Sequence, residues 1–229
     1  MKKGDLKKQE ILRTAESLFC RYGYEATSIQ DVLDELKTSK GSFYHHFVSK
    51  EALLEEICRI RAKGSRSVIG ETIPSGASPL DRLNMLFDEM IPLTGEKLSF
   101  LLMILPVFLS SESASLRTFY RKELSDLYRS PVSSVLSDGT KEGFFSCPDD
   151  VLFADISLQL VNSLWLNVCD MIVRDAETGS RSEASELMAV ISQYRLALER
   201  MLSAPFGSIE LIRLPELKVL TEQIHQHWK

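Results

Sequence analysis

The chain has 229 residues, of which 44% are hydrophobic and 26% charged, a composition typical of a folded globular protein and unlike that of a disordered one. Its longest apolar run, residues 100–109, is interrupted by Pro106 and is too short to span a bilayer. The charged amino terminus shows no signal peptide, so we expect a cytoplasmic protein without a membrane anchor.

The net charge of −5 is unevenly distributed. Residues 1–66 hold 13 Lys/Arg and 10 Asp/Glu, net +3, whereas the remainder holds 14 and 22, net −8. This asymmetry is typical of a nucleic-acid-binding head on an acidic body.

Four cysteines, Cys20, Cys58, Cys147 and Cys169, are widely spaced and form no Cys/His ligand pattern. We interpret them as free, mostly buried thiols in a reducing compartment, with a redox switch as the alternative. The sequence gives no reason to expect a metal or a cofactor.

Helical periodicity is nearly continuous and no stretch alternates with a period of two, which predicts an all-α fold. The first helix is expected over residues 5–21. A second opens at a possible capping box of Thr27 and Gln30, and Ser39 and Ser49 are placed to cap a third and a fourth.

Glycines and prolines within residues 64–80 predict a junction between two domains. The division expected is a head over 1–66, with its helix-turn-helix at about 28–47, and a body over 67–229. Helices of the body are predicted over 80–92, 96–111, 115–141, 149–176 and 182–203, with a last one beginning at Pro215.

The predicted third helix has two distinct faces. Phe43 and Phe47 share an apolar stripe. The remaining surface carries Gly41, Ser42 and His45 opposite this stripe and Lys40 and Tyr44 beside it. A short helix with such a polar surface suits the major groove of DNA, and the alternative is a plain solvated face.

Three spaced motifs support a family resemblance: Gly23-Tyr-Glu-Ala-Thr-Ser-Ile29, Ser39-Lys-Gly-Ser-Phe-Tyr-His-His-Phe47 and Ser49-Lys-Glu-Ala-Leu-Leu54. Over residues 5 to about 60 the chain resembles the TetR family of transcriptional regulators. The resemblance implies a three-helix, homeodomain-like head with a helix-turn-helix, followed by a larger helical domain for ligand binding and dimerisation.

The resemblance also implies which residues meet DNA. Thr27 and Lys50 would contact phosphates, Lys40, Gly41 and Ser42 would approach base edges, and Tyr44 and His45 would contact either. For His46, contact with DNA and packing beside Phe47 remain open. The complete set expected at the interface is Thr27, Ser28, Thr38, Ser39, Lys40, Gly41, Ser42, Tyr44, His45, His46 and Lys50.

The chain departs from the family at the turn between helices two and three. Where an Ala-Gly-Val type of turn is usual, it has Leu36-Lys37-Thr38. We therefore predict a left-handed backbone at Lys37, at a cost of about 1 kcal/mol.

In the body, the resemblance implies that the helices over 149–176 and 182–203 pair with their copies in a homodimer; the same apolar faces would otherwise bury within one chain. A ligand pocket, with ordinary core as the alternative, is expected from ten residues: Phe87, Met90, Phe100, Met103, Phe108, Phe119, Tyr120, Tyr128, Asn162 and Trp165. No catalytic motif is present.

These features together predict a homodimeric regulator that binds a near-palindromic site on double-stranded DNA, most simply a repressor released by a small-molecule effector. The alternatives are a helical module that binds protein partners without DNA, and an enzyme built on the helical body.

Overall fold

The computed structural model describes residues 3–72, 74, 76–90, 95–180 and 182–228. Over these ranges the protein contains α-helices, one short 3-10 turn at Ser111–Ser113 and no strand, which confirms the all-α prediction. The helices are α1 (Lys3–Tyr22), α2 (Ile29–Glu35), α3 (Lys40–Tyr44), α4 (Lys50–Thr72), α5 (Pro79–Glu89), α6 (Gly95–Leu109), α7 (Ala114–Lys141), α8 (Asp150–Thr178), α9 (Ala184–Leu202) and α10 (Leu214–His227).

The chain divides into two compact units. The first comprises Met1–Lys63 and Gly95–Tyr120, and the second comprises Gly64–Thr94 and Arg121–Lys229. Residues 95–120, which the sequence assigns to the body, therefore cluster with the amino-terminal helices.

The first unit is built around the apolar stripe of α1. Ile11 and Ala15 are completely buried, and Phe19 lies edge-to-face on Tyr24, with ring centroids 5.1 Å apart. A salt bridge of 2.7 Å joins Lys8 of α1 to Glu56 of α4. α6 packs against α1 from within the same unit.

The loose backbone expected over residues 64–80 is absent from the first part of this stretch, because α4 continues as helix to Thr72. Gly64 and Gly70 lie inside this helix. A glycine inside a helix costs only about 1 kcal/mol relative to alanine, so two of them weaken a long helix without ending it.

In the second unit, α8 is the central helix and contacts both α9 and α10. The Asp149 carboxylate caps its first turn by accepting from the Leu152 N–H at 2.9 Å, and Gly179 ends it at a φ of 70°. By length and composition α8 could cross a membrane, but half of its most apolar stretch is buried inside the protein, as in a core helix.

Asn84 links α5 to the segment that precedes α10. Its amide nitrogen donates to the Ser208 carbonyl at 2.9 Å, and its amide oxygen accepts from the Glu210 N–H at 2.9 Å. One side chain thus provides hydrogen-bond partners for two backbone groups of a segment that is neither helix nor strand.

Candidate nucleic-acid interface

The turn between α2 and α3 has the left-handed residue that the sequence predicts. Lys37 has a φ of 49°, and only one other non-glycine residue in the described part of the chain has a positive φ. The Lys37 N–H donates to the Asp34 carbonyl at 3.2 Å, and the Thr38 N–H donates to the Leu33 carbonyl at 3.0 Å. These bonds close the end of α2 and redirect the chain into α3.

The amino terminus of α2 is capped one residue later than predicted. Ser28, and not Thr27, is the N-cap: its hydroxyl accepts from the Asp31 N–H at 3.2 Å. The Ser28 N–H donates to the Asp31 carboxylate at 2.7 Å, which completes a capping box. The Ser28 hydroxyl also donates to this carboxylate, at 2.8 Å. The Ser28 N–H and, after it, the hydroxyl lower the pKa of Asp31 by donating to its carboxylate. The predicted box of Thr27 and Gln30 is therefore wrong.

Thr27 instead has a role within the fold. Its hydroxyl donates to the Gly23 carbonyl at 2.8 Å, and the residue is only 2% exposed. Because this hydroxyl already has a partner, its contact with a phosphate stays a prediction.

α3 and the turn after it bury Phe43 and Phe47 and leave Tyr44 exposed, as the sequence predicts. Phe43 is completely buried and Phe47 is 4% exposed, with ring centroids 5.8 Å apart. Ser39 caps the helix, its hydroxyl accepting from the Ser42 N–H at 3.3 Å. Lys40 and Tyr44 are exposed, so two buried phenyl rings seat a helix whose other face meets solvent.

The remaining candidates on this segment vary in exposure. Gly41 and His45 are exposed, whereas Thr38, Ser42 and His46 are half-buried. The rings of His45 and His46 lie edge-to-face, 4.9 Å apart. Packing does not require a glycine at position 41, because an added Cβ would meet only the Ser39 hydroxyl at 3.9 Å.

A groove of about 460 Å³ joins residues from three parts of the head. Its lining comprises Glu25, Ala26, Thr27, Ser28, Ile29, Gln30, Lys40, Tyr44 and Lys50. Five of the predicted interface residues thus share one surface, formed by the start of α2, the outer side of α3 and the first residue of α4. With two lysines and hydroxyl groups, this surface can hold an anion.

Lys50 is held in place by two contacts. Its ammonium donates to the Glu25 carbonyl at 3.4 Å and lies 4.1 Å from the centroid of the Tyr24 ring. Neither contact neutralises the ammonium, because the partners are a dipole and a ring quadrupole. The neighbouring Glu51 carboxylate also attracts it. Lys50 therefore presents a positioned positive charge to the groove.

The sequence did not predict Glu25, Ala26, Ile29 and Gln30 in the lining of this groove, nor Tyr24 beside it. Tyr24 supports Lys50, and Gln30 lines the groove while its amide donates to Asp34 at 2.7 Å. Gln30 could have been found, because it lies opposite the apolar stripe of α2. The role of Tyr24 depends on a contact 26 positions away and leaves no local signal.

The ten pocket candidates fall into both compact units. Phe100, Met103, Phe108, Phe119 and Tyr120 belong to the first, and Phe87, Met90, Tyr128, Asn162 and Trp165 to the second. In the first unit Phe119 and Tyr120 have packing partners, since the Arg59 guanidinium lies 5.1 Å from the Phe119 ring and Phe108 lies 5.2 Å from Tyr120. The pocket itself stays a prediction.

In the second unit, two donors of α8 are buried without a partner among the described residues: the Asn162 amide nitrogen and the Trp165 indole nitrogen. They are three residues apart and therefore lie on one side of the helix. A buried donor without an acceptor is costly, so each calls for an explanation.

α9 has an apolar surface that divides in two. Leu187, Ile191, Leu198 and Leu202 are buried within the chain, whereas Val190, Tyr194 and Met201 are half-buried on the neighbouring side. The Tyr194 hydroxyl accepts from the Asn167 amide of α8 at 2.5 Å. Part of the predicted wide apolar face thus has no full cover within one chain.

The capped α2, the tight turn and the seated α3 define a helix-turn-helix protein. The profile of the family "Bacterial regulatory proteins, tetR family" matches residues 11–57, which contain all of these elements. Residues 11–57 therefore form a domain of the tetR family.

Individual relatives agree with this assignment. The uncharacterized transcriptional regulator YerO of Bacillus subtilis is 50% identical over 52 residues, 23% of this chain and 18% of YerO. The transcriptional repressor KstR2 of Rhodococcus jostii is 29% identical over 151 residues, 65% of this chain and 72% of KstR2. KstR2 of Mycobacterium tuberculosis is matched over 39% of its length, so the chain covers well under two thirds of several of these relatives.

The fold is also known from solved structures. A putative transcriptional regulator from Saccharomonospora viridis, solved in complex with choline, is 25% identical and superposes with a TM-score of 0.54. The superposition covers 85% of this chain and 96% of the other. The likeness therefore extends beyond the helix-turn-helix to the helices of the body.

Proposed function

We propose that the protein is a sequence-specific DNA-binding transcriptional regulator of the cytoplasm, acting as a homodimeric repressor that a small molecule releases. The observation that carries the proposal is the groove shared by Lys40, Tyr44 and Lys50, beside a recognition helix seated by Phe43. Two lysines, a phenol and the Ser28 hydroxyl match the chemistry of a phosphate backbone flanking a major groove.

Selection of bound fragments from random duplexes tests this proposal. An inverted repeat with half-sites about 34–36 Å apart is expected from a two-fold dimer. Lys50→Ala, which removes a predicted phosphate contact from each copy of the dimer, should make the slope of log affinity against log salt concentration shallower by about 1.8. Lys218→Ala, which removes an exposed lysine of α10, is the matched control. Absence of salt-dependent duplex binding by the parent protein would overturn the proposal.

Gly41 offers a second test, in which stability and binding move in opposite directions. Because an added Cβ has room within the chain, Gly41→Ala should stabilise α3 by up to about 1 kcal/mol. The same methyl group would stand between α3 and a base edge, so duplex affinity should fall. A variant that is more stable and binds equally well would exclude close approach at this position.

For the dimer, we propose the half-buried side of α9, with Val190, Tyr194 and Met201, as part of the surface between copies. Burying apolar area of this kind favours association by about 25 cal/mol per Å² before its costs are subtracted. Val190→Glu should yield a monomer in light scattering coupled to gel filtration, whereas Gln193→Glu, at an exposed position of α9, should leave the dimer intact. A dimeric Val190→Glu variant would exclude this surface.

For the effector, we propose a site on α8 at Asn162 and Trp165. Two unpartnered N–H groups favour a ligand with an acceptor oxygen, such as a carboxylate, carbonyl or hydroxyl. The regulator solved with choline, a small molecule with a hydroxyl group, supports an effector of this size.

Trp165→Phe removes one donor and keeps an aromatic ring. Carboxylates, amides and choline would each be tested for release of a bound duplex from the parent protein and from the variant. The variant should need about a tenfold higher concentration of any active compound. An unchanged response would place the effector elsewhere.

A further inference from the structure

We propose that Lys37, in the turn between α2 and α3, is an additional phosphate-contacting residue, retained for its charge despite a strained backbone. The proposal rests on the proposed DNA binding. It assigns a DNA contact to the turn itself, outside the groove formed by α2, α3 and α4.

The backbone argument begins from the φ of 49° at Lys37. A side chain in the left-handed region brings its Cβ too close to the following carbonyl oxygen, and glycine avoids this clash. The hydrogen bonds of the turn come from the N–H groups of Lys37 and Thr38, which any non-proline residue supplies. Nothing in the turn geometry therefore requires a lysine.

The side-chain argument concerns charge. Lys37 is exposed and forms no ion pair with any residue that the structure describes. The nearby carboxylate of Asp34 already accepts from the Gln30 amide at 2.7 Å. The ammonium contributes no ion pair to the described part of the fold, so it is available to a partner outside the chain.

Position identifies that partner as a phosphate. Lys37 precedes the N-cap Ser39 by two residues and Lys40 by three. In a helix-turn-helix the amino-terminal end of the recognition helix enters the major groove, so the preceding turn lies near the sugar–phosphate backbone at the edge of the groove. A flexible ammonium at this place can neutralise a phosphate without reading a base.

Three substitutions at this position separate charge from strain. Lys37→Ala removes the charge and keeps the Cβ, Lys37→Gly removes both, and Lys37→Arg keeps both. For each purified full-length protein, affinity for a selected duplex would be measured from 50 to 200 mM salt, and the unfolding equilibrium by denaturant. Lys218→Ala again serves as the control for loss of an exposed lysine.

If both copies of Lys37 in a dimer contact a phosphate, the slope of log affinity against log salt concentration should be shallower by about 1.8 in the alanine and glycine variants. The arginine variant should keep the parental slope. The affinity advantage of the parent over the alanine variant should then be about tenfold smaller at 200 mM than at 50 mM salt. Only the glycine variant should lower the unfolding equilibrium constant, by about fivefold.

Parental salt slopes in the alanine and glycine variants would overturn the proposal while leaving DNA binding by the protein in place. A slope lost equally in the Lys218→Ala control would do the same, because the effect would then reflect net charge. A parent protein that binds no duplex overturns both this inference and the proposed function.

Discussion

The ammonium of Lys50 lies 4.1 Å from the centroid of the Tyr24 ring, which is itself 93% buried. Burial raises the pKa of the Tyr24 phenol well above its usual range, and nearby Glu51 and Glu25 add to the increase. The ring therefore stays neutral under Lys50 and acts as a fixed support for a charge at the groove.

Replacing this support is the first prediction. Tyr24→Leu should lower duplex affinity about two- to fivefold, because a cation–π contact of this kind contributes about 0.5–1 kcal/mol. It should also lower the free energy of unfolding by about 1–3 kcal/mol through the lost packing on Phe19. Titration of a labelled duplex and denaturant unfolding measure the two effects.

Tyr24→Phe is the control for this change, since it keeps the ring and loses only the hydroxyl. Affinity close to that of the parent is expected. An affinity as low as that of Tyr24→Leu would show that the hydroxyl, and not the ring, positions Lys50.

The second prediction concerns the cap of α2. Ser28→Ala should lower the free energy of unfolding by about 1 kcal/mol, because the Asp31 N–H loses its acceptor, whereas Ser28→Thr should retain most of the stability. Denaturant unfolding of the three proteins at neutral pH decides the point. An equal decrease of the free energy of unfolding in the alanine and threonine variants would show that the hydroxyl does not provide this stability.

The third prediction is the pH dependence of the same cap. The Ser28 bonds depress the pKa of Asp31 in the folded state, so the stability they provide is present above the unfolded pKa of about 3.9 and is lost as the pH falls through the folded value. The stability difference between the parent and Asp31→Asn should therefore be constant near neutral pH and shrink below about pH 4. A difference that persists undiminished at acidic pH would contradict this assignment.

The fourth prediction compares two helical glycines. A Cβ at Gly139 of α7 would overlap the ring of Phe145, whereas a Cβ at Gly4 of α1 has nothing within 4 Å. Gly139→Ala should destabilise the protein by about 1–3 kcal/mol and Gly4→Ala should stabilise it by up to about 1 kcal/mol. Opposite shifts in the midpoint of denaturant unfolding are the expected result, and stabilisation in both would show that Phe145 moves aside.

The fifth prediction concerns thiol reactivity. All four cysteines are free, as the sequence predicts, and burial raises the pKa of each thiol, for Cys169 to about 12. Because the thiolate is the reactive form, alkylation of the native protein at pH 8 should be slow and should begin at half-buried Cys20. Mass spectrometry of timed samples checks this order. Early modification of Cys58 or Cys169 in the native protein would contradict the packing around them.

Local sequence patterns predict most of the fold. The helices follow from the spacing of apolar residues, and the left-handed turn follows from the position of Lys37 in a helix-turn-helix. The errors arise where tertiary contacts decide between neighbouring residues. Thr27 and Ser28 are both common N-cap residues, serine the more so, and the Thr27 hydroxyl bonds instead to the Gly23 carbonyl. α4 extends beyond Gly64 because no local signal there is strong enough to end a long helix.

The groove is only partly predictable for a similar reason. Lys40 and Tyr44 share a helix, so their spacing already places them together. The approach of Lys50 to Tyr24 depends on how α4 packs against the segment between α1 and α2. Likewise, the apolar residues of α9 are evident from the sequence. The sequence does not show which of them are buried within the chain and which stay half-buried.

The two hydrogen bonds of Asn84 make α5 and the segment leading into α10 a single mechanical element. Any displacement of α5 must either carry residues 208–210 with it or break both bonds at once. Hydrogen–deuterium exchange at the Glu210 amide therefore reports directly on whether that linkage is intact.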